Sequence, residues 1–405
     1  MTTVFDKKEN CSGCGVCKAV CNQSAIVMQR DNCGFYYPKI DAKRCISCGK
    51  CRNNCHFINK SVSRNLFEKV YAVQSRDEEV LKKSQSGGAF AELAKSILNS
   101  GGAAYGAVFN DLFEVCHIRI DSVNQLHRLQ GSKYVQSKTE DIFEKVKNDL
   151  DNDLKVLFSG TPCQVAALYS YLGQRRESLY TVDIVCHGVM PPTLWKDYID
   201  RMTDKYGEIA CADFRDKSYG WKSHNETFVI GGQKIKKNVY RKIFYKNILL
   251  RPSCYSIKKD RYITACKYAG TSRVSDITIG DFWGIQSETG VFKNSNLGIS
   301  LCIVNTQSGI RLFERLKQNV IWEQRDISEA SAKQPHLSRS EHGVPIEDVE
   351  TAREMYAKKG FKYIVSRYGE SGIRGIYPKG IRFIGHIVNK LLKTTEVKSE
   401  RREKR

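Results

Sequence analysis

The stretch CSGCGVCKAVC (residues 11–21), echoed by CISCGKCRNNC (residues 45–55), decides how the first part of the chain folds and what it holds. In each run three Cys are separated by two residues and a fourth follows after three more. Cys11, Cys14, Cys17 and Cys21 make the first set, and Cys45, Cys48, Cys51 and Cys55 the second. Thiolates at this spacing wrap a loop around one corner of an iron–sulfur cube, and the fourth of each run ligates the other cluster. The pattern therefore predicts Cys11, Cys14, Cys17 and Cys55 on one 4Fe–4S cluster, and Cys45, Cys48, Cys51 and Cys21 on a second. The fourth Cys of each run is expected to open a short helix. Gly13, Gly15 and Gly49 permit the left-handed turns that aim backbone N–H groups at the sulfurs. A zinc ribbon would use two CxxC pairs per metal, whereas both runs here are complete four-Cys sets.

Two details depart from the usual pattern. The Pro that commonly follows the last Cys is replaced by Asn22 and His56, which should alter the chain's exit without removing a ligand. Cys33 lies between the runs and reads as a buried apolar filler. The segment DNCGFYYPKID (residues 31–41) reads as the hairpin joining the two halves.

Working outward, the chain has 405 residues, 65 Lys+Arg against 44 Asp+Glu, a formal charge of +21 and 41% hydrophobic residues. Its mean hydropathy is −0.44. That composition supports a buried core rather than disorder, in about two to four domains. No apolar run approaches the roughly 20 residues a bilayer helix needs. The opening MTTVFDKKENCSGCG has no apolar signal-peptide core, so a cytoplasmic location is expected. Sixteen Cys without an export signal point to metal or redox chemistry rather than a disulfide framework.

From Val70 the chain alternates strand-like runs with helical segments, the pattern of an α/β domain. VYAVQ (70–74) reads as a strand, and SQSGGAF (84–90) as a glycine-containing loop opening the helix AELAKSILNS. KVLFSGTPCQVAAL (155–168) repeats strand, loop and helix. TVDIVCHGV (181–189) and DITIGDFWGI (276–285) are further strands ending in polar or Cys-bearing loops. Four such strand ends predict one site at the C-terminal edge of a sheet. The expected fold class is an α+β ferredoxin-like dicluster module followed by a larger α/β domain, which the resemblance described next makes a flavin-binding one. Its parts are residues 1–60, 66–150 and 151–310, with a helical extension over 311–405 that carries a basic amphipathic tail.

On the stretches SQSGGAF, GSKYVQS (131–137), VLFSGTPCQVAAL, DIVCHGV, FRDKSYGW (214–221), LRPSCY (250–255) and SRVSDITIGDFWGI (272–285), the chain resembles the coenzyme F420 hydrogenase/dehydrogenase beta-subunit family. The resemblance covers about residues 1–305. It implies FAD near the SGG loop and the GSKYVQS segment, with Ser86, Gly87, Gly88, Lys133 and Tyr134 as contacts. A lysine there would stabilise an anionic reduced flavin; otherwise Lys133 is an ordinary surface residue. The resemblance also suggests a third 4Fe–4S cluster on Cys163, Cys186, Cys254 and Cys266. Against this, the last two Cys are twelve residues apart rather than in a short CxxC, with SIKKDRYITA inserted between them. The bland alternative makes Cys163 and Cys186 small buried hydrophobes, and His187 a structural histidine.

Residues 215–273 hold fifteen basic and three acidic groups. The lysines of KIKK (234–237) read as the solvated face of a hairpin, or as a surface for an acidic redox partner or an anionic substrate. No nucleic-acid motif accompanies the charge, so nucleic acid is not an expected partner. Near the C-terminus, Ile381, Ile384, Ile387, Val388, Leu391 and Leu392 form an apolar stripe opposite a basic face. Such a helix docks on its parent domain or lies peripherally on an anionic membrane.

These readings converge on an iron–sulfur flavoprotein oxidoreductase. It would pass electrons between an organic hydride donor or acceptor (coenzyme F420 or another small molecule), FAD and two 4Fe–4S clusters. Its expected protein partner is a ferredoxin or other redox protein. The rival reading is a non-catalytic subunit relaying electrons from a ferredoxin to a partner enzyme.

Overall fold

The computed structural model describes residues 3–369 apart from 60–61, 140, 259, 264–265, 286–289, 293–294 and 339–342. The C-terminal stripe from Ile381 to Leu392 lies outside the described residues.

The segment around the cysteine runs has little regular structure. Its hairpin pairs Ile26–Arg30 with Tyr36–Ile40, so the strand begins before the segment read as the hairpin, and residues 31–35 make the turn. Two single-turn helices, Val16–Ala19 and Lys50–Asn53, each start after a left-handed glycine, Gly15 and Gly49. They carry the third Cys of each run, Cys17 and Cys51. The fourth, Cys21 and Cys55, therefore follows its helix instead of opening it.

The larger part is built on an eight-stranded sheet. In spatial order its strands are Val320–Gln324, Lys69–Ser75, Ser300–Val304, Ile277–Asp281, Leu179–Ile184, Val156–Gly160, Ala103–Phe109 and Val115–Ile120. The four from Ile277–Asp281 to Ala103–Phe109 pair in parallel. Lys69–Ser75 is antiparallel to Ser300–Val304, itself antiparallel to Ile277–Asp281. Five strands thus run in one direction and deliver their C-terminal ends to one edge, where open α/β sheets bind ligands. The central strands are apolar on both faces, as strands covered on both sides must be; Val156, Leu157 and Phe158 are all fully buried. Helix Ala89–Leu98 packs on one face with Leu93, Ala94 and Ile97. Helix Pro162–Leu172 packs on the other. Its start is fixed by a capping box in which Thr161 and Gln164 satisfy each other's backbone N–H groups.

A second core forms between helix Pro192–Tyr206, the small sheet of Ile209–Asp213, Glu226–Ile230 and Gln233–Lys237, helix Val239–Tyr245, and helix Ile346–Tyr368. Residues 320–324, read from sequence as part of a helical extension, instead add an edge strand to the main sheet. The KIKK lysines do lie on a hairpin, Glu226–Ile230 with Gln233–Lys237, while other basic residues of 215–273 turn inward. Lys234 and Lys236 are exposed on the hairpin, but Arg215, Arg241, Arg251 and Arg273 point inward and are buried.

Candidate functional site

The left-handed glycines let each cysteine loop fold back on itself. Gly13, at φ 66, cannot be replaced by a larger residue, because a Cβ there would lie 2.3 Å from Gln136 Nε2 and 2.6 Å from the Tyr36 carbonyl. Cys11, Cys14, Cys17 and Cys55 surround one small enclosed space with Val4, Met28 and Pro38. Burial raises the thiol pKa of Cys17 well above its usual value, and Cys14, Cys11 and Cys55 raise it further. Cys21, Cys45 and Cys51 pack beside Ile26 and Ile40, in the same small core that Cys17 and Cys55 join. Burial lifts the Cys51 thiol, with Cys21 and Cys45 contributing. Cys48 is exposed at the tip of its loop. Cys55 thus lies with Cys11, Cys14 and Cys17, and Cys21 and Cys45 act on Cys51, the grouping that crossed ligand sets would need.

Among the described residues, no three His, Cys, Asp or Glu side chains converge tightly enough for a single bare ion.

A cavity of about 760 Å³ opens at the C-terminal edge of the main sheet. That volume is in the range of cofactor-sized sites. Ser86 and Gly88 line it from the loop after Lys69–Ser75, and Lys133 and Tyr134 from the GSKYVQS segment. Gly87 instead packs against the sheet, where a Cβ would sit 2.2 Å from the Val73 carbonyl. Gly88, at φ 85, caps helix Ala89–Leu98. Lys133 turns its ammonium to the Gln130 carbonyl at 2.7 Å, and burial depresses its pKa to about 8.

Cys163, Cys186, Cys254 and Cys266 line the same cavity. They come from the first turn of helix Pro162–Leu172, the loop after Leu179–Ile184 and the two flanks of the insertion. The insertion folds into an antiparallel pair, Ser256–Lys258 with Arg261–Ile263, that sets Ser256 opposite Ile263. This closure returns the chain on itself and brings Cys254 and Cys266 within electrostatic reach. Burial pushes the Cys254 thiol up to about 12, and Cys266 and Cys163 add to the shift. Burial likewise raises Cys163 to about 11, with Cys266 next. The remaining cysteines differ: Cys302 is buried, Cys33 and Cys116 are half-buried, and Cys211 is exposed on its short edge strand.

Several residues inside the quoted motifs do more than the sequence disclosed. Gln136 accepts from Tyr36 N–H at 3.0 Å and donates to the Gly13 carbonyl at 3.3 Å, clamping the first cysteine loop. Arg251 donates through Nε to the Cys11 carbonyl at 3.0 Å and through Nη2 to the Tyr36 carbonyl at 3.0 Å. Its Nη2 also lies 3.9 Å from Cys11 Sγ. Lys217 donates to the Leu81 and Ser86 carbonyls at 2.6 and 2.9 Å, holding the SGG loop in place. His56, standing where Pro is usual, is buried. Its ring joins Tyr268 Oη at 2.5 Å through Nδ1 and Ser12 Oγ at 3.3 Å through Nε2. Burial raises the Tyr268 hydroxyl pKa, with Cys163, Cys14, Cys266 and Cys55 next in effect, so this tyrosine stands between two cysteine groups. His187 meets His336 edge to face at 4.4 Å, and burial depresses its pKa to about 4. The available signal for all of these was their membership of the motifs, which does not reveal which side chain turns inward.

Three comparisons bear on identity. Residues 153–330 match the sequence profile of the C terminus of the coenzyme F420 hydrogenase/dehydrogenase beta chain. A segment of 45 residues is 49% identical to a component of the Na(+)-translocating ferredoxin:NAD(+) oxidoreductase complex of Acetobacterium woodii, covering 11% of this chain and 12% of that protein. The chain thus spans about an eighth of that relative's length. There is also a distant likeness, at TM-score 0.45 and 15% identity, to a chain in the F420-reducing NiFe hydrogenase complex from Methanosarcina barkeri, over 74% of this chain and 90% of that one. Over residues 153–330, a little under half of its length, the chain is thus similar to the C-terminal region of coenzyme F420 hydrogenase/dehydrogenase beta subunits.

Proposed function

We propose that this protein is an iron–sulfur flavoprotein oxidoreductase that exchanges electrons between a small hydride donor or acceptor and a protein partner. One observation carries the reading. A single cavity is walled by the SGG loop, Lys133 and Tyr134 on one part, and by Cys163, Cys186, Cys254 and Cys266 on another. Ser12, Gly13 and Cys14 of the first cysteine run reach the same wall. A flavin supplies the conversion between two-electron hydride chemistry and the one-electron steps of a 4Fe–4S cluster.

The chain's own residues divide the work. Lys217 and Gly88 fix the loop that would hold the flavin, and Lys133 supplies positive charge beside it. The four cavity cysteines would hold a third cluster between that position and the Cys11, Cys14, Cys17 and Cys55 group. Tyr268 and His56 fill the space between these two cysteine sets and exclude water from it. Beyond them lies the group containing exposed Cys48. Around Cys48 are exposed Lys43, Arg44 and Lys50, and Ile46 at 65% exposure. A basic rim around an apolar contact suits an acidic redox protein, drawn by charge over about 8 Å at physiological salt.

The test is anaerobic reduction of purified protein by a small hydride donor (a reduced deazaflavin or nicotinamide) with no partner present. Bleaching of a bound flavin followed by cluster reduction is expected. Clusters that accept electrons only from a reduced ferredoxin, in protein without flavin, would overturn the proposal in favour of a relay.

A further inference from the structure

We propose that Arg241 forms an oxyanion subsite at the aromatic end of the cavity, taking a carboxylate or phosphate group of the molecule bound there. This rests on the cavity being the ligand site and names the chemistry that one end of it recognises.

Arg241 is 1% exposed, yet its Nε, Nη1 and Nη2 all lack a hydrogen-bond partner. The other buried arginines of this region are held. Arg215 pairs with Asp281 and donates to the Trp221 carbonyl at 3.0 Å. Arg251 is fixed by the cysteine loop, and Arg273 pairs with Asp183 at 2.9 Å. A buried guanidinium remains charged and is costly when nothing offsets it. Five unfilled donors in a fixed fork match the geometry of a carboxylate or phosphate.

The nearest acids do not fill that role. Glu226 accepts at Oε1 from Tyr198 Oη at 3.0 Å and from Tyr240 N–H at 2.9 Å, while its buried Oε2 has no hydrogen-bond partner and does not reach Arg241 either. Burial pushes its pKa up to about 7, and it makes no ion pair with Arg241. Asp281 is taken by Arg215 and by Trp221 Nε1 at 2.7 Å.

The position favours a ligand rather than a purely structural role. The guanidinium carbon lies 4.5 Å from the Tyr245 ring and 5.2 Å from the Tyr134 ring. Both rings line the cavity, as does His224, whose Nδ1 also has no partner. Arg241 itself stands behind these lining rings, and Tyr245, at 52% exposure, is the least buried of the groups against it. Oxyanions could come from a substrate or from the diphosphate of a flavin coenzyme, and the two have different consequences.

Wild type, Arg241→Gln and Arg241→Lys, purified anaerobically, would be titrated with inorganic phosphate by calorimetry, with flavin and iron counted on the same samples. A substrate subsite predicts saturable phosphate binding to wild type that weakens at least tenfold in Arg241→Gln, with flavin content unchanged. A coenzyme subsite predicts flavin loss from Arg241→Gln and displacement of flavin from wild type by phosphate. Arg241→Lys keeps the charge but loses the fork, and should fall between in either case. If the Gln variant does not fold, wild type and the Lys variant decide alone. Equal phosphate affinity and equal flavin content across the folded proteins would overturn the proposal, even if thermal stability fell. So would absence of phosphate binding in wild type together with unchanged flavin in the variants. An iron and flavin count showing no flavin in wild type would instead refute the flavoprotein reading, while leaving the phosphate titration to judge Arg241.

Discussion

The two cysteine groups of the N-terminal segment have nearly the same local sequence and very different surroundings. Cys11, Cys14, Cys17 and Cys55 are turned toward the large domain, pressed by Arg251, Gln136 and the His56–Tyr268 pair. Cys21, Cys45, Cys48 and Cys51 face outward, with Cys48 exposed among exposed Lys43, Arg44 and Lys50. Equal ligand sets in unequal environments give clusters of unequal potential and access, because charge, hydrogen bonds and solvent exposure set both. On the proposed function, the inner position would exchange electrons with the cavity, and the outer one with another protein.

The largest expected effect comes from breaking the inner connection. Cys254→Ser should remove one cluster, about a third of the iron if three are bound, and isolate the flavin from the inner group. Cys33→Ser should leave iron content unchanged. Iron assay and cluster absorbance read both variants. Reversing the outer charge, with Lys43→Glu, Arg44→Glu and Lys50→Glu together, should slow reduction by an acidic ferredoxin about tenfold at low salt. The same protein should be reduced normally by a small hydride donor, and stopped-flow absorbance separates the two rates.

A subtler contrast comes from Arg251→Gln, which removes a buried cation 3.9 Å from Cys11 Sγ. The more negative surroundings should lower the inner cluster's midpoint by tens of millivolts, on the order of a tenfold change in equilibrium. The outer cluster should stay put, as followed by EPR-monitored redox titration. Equal shifts of both would contradict the inner–outer distinction. Tyr268→Phe removes the hydrogen bond to His56 and should cost about 1 kcal/mol of stability, seen as a modest drop in Tm with full iron content.

The contrast also explains what could be read from the chain alone. Ligand spacing within each run is local, so the two sets and their crossover follow from short patterns. The strand–loop–helix order was equally legible, because VYAVQ, KVLF and DITIG are short apolar runs bounded by turn residues. Convergence over distance was legible only through the strand ends and the family resemblance, not through local spacing. Cys163 and Cys266 meet because parallel strands and a hairpin bring their loops to one edge, a consequence of topology. Charge is a similar case: the hairpin lysines of the basic stretch are exposed, yet Arg215 and Arg251 enter the core, where Trp221, Asp281 and the cysteine loop receive them, and composition does not tell the two apart. The fourth-Cys helix starts were displaced because the left-handed Gly15 and Gly49 begin each turn earlier.

The most direct measurement is iron, acid-labile sulfide and flavin content on one anaerobically purified sample. The account predicts roughly twelve irons with matching sulfide and about one flavin per chain, the loading of three cubes and one coenzyme. Roughly eight irons and no flavin would contradict it, leaving the cavity without the chemistry proposed for it.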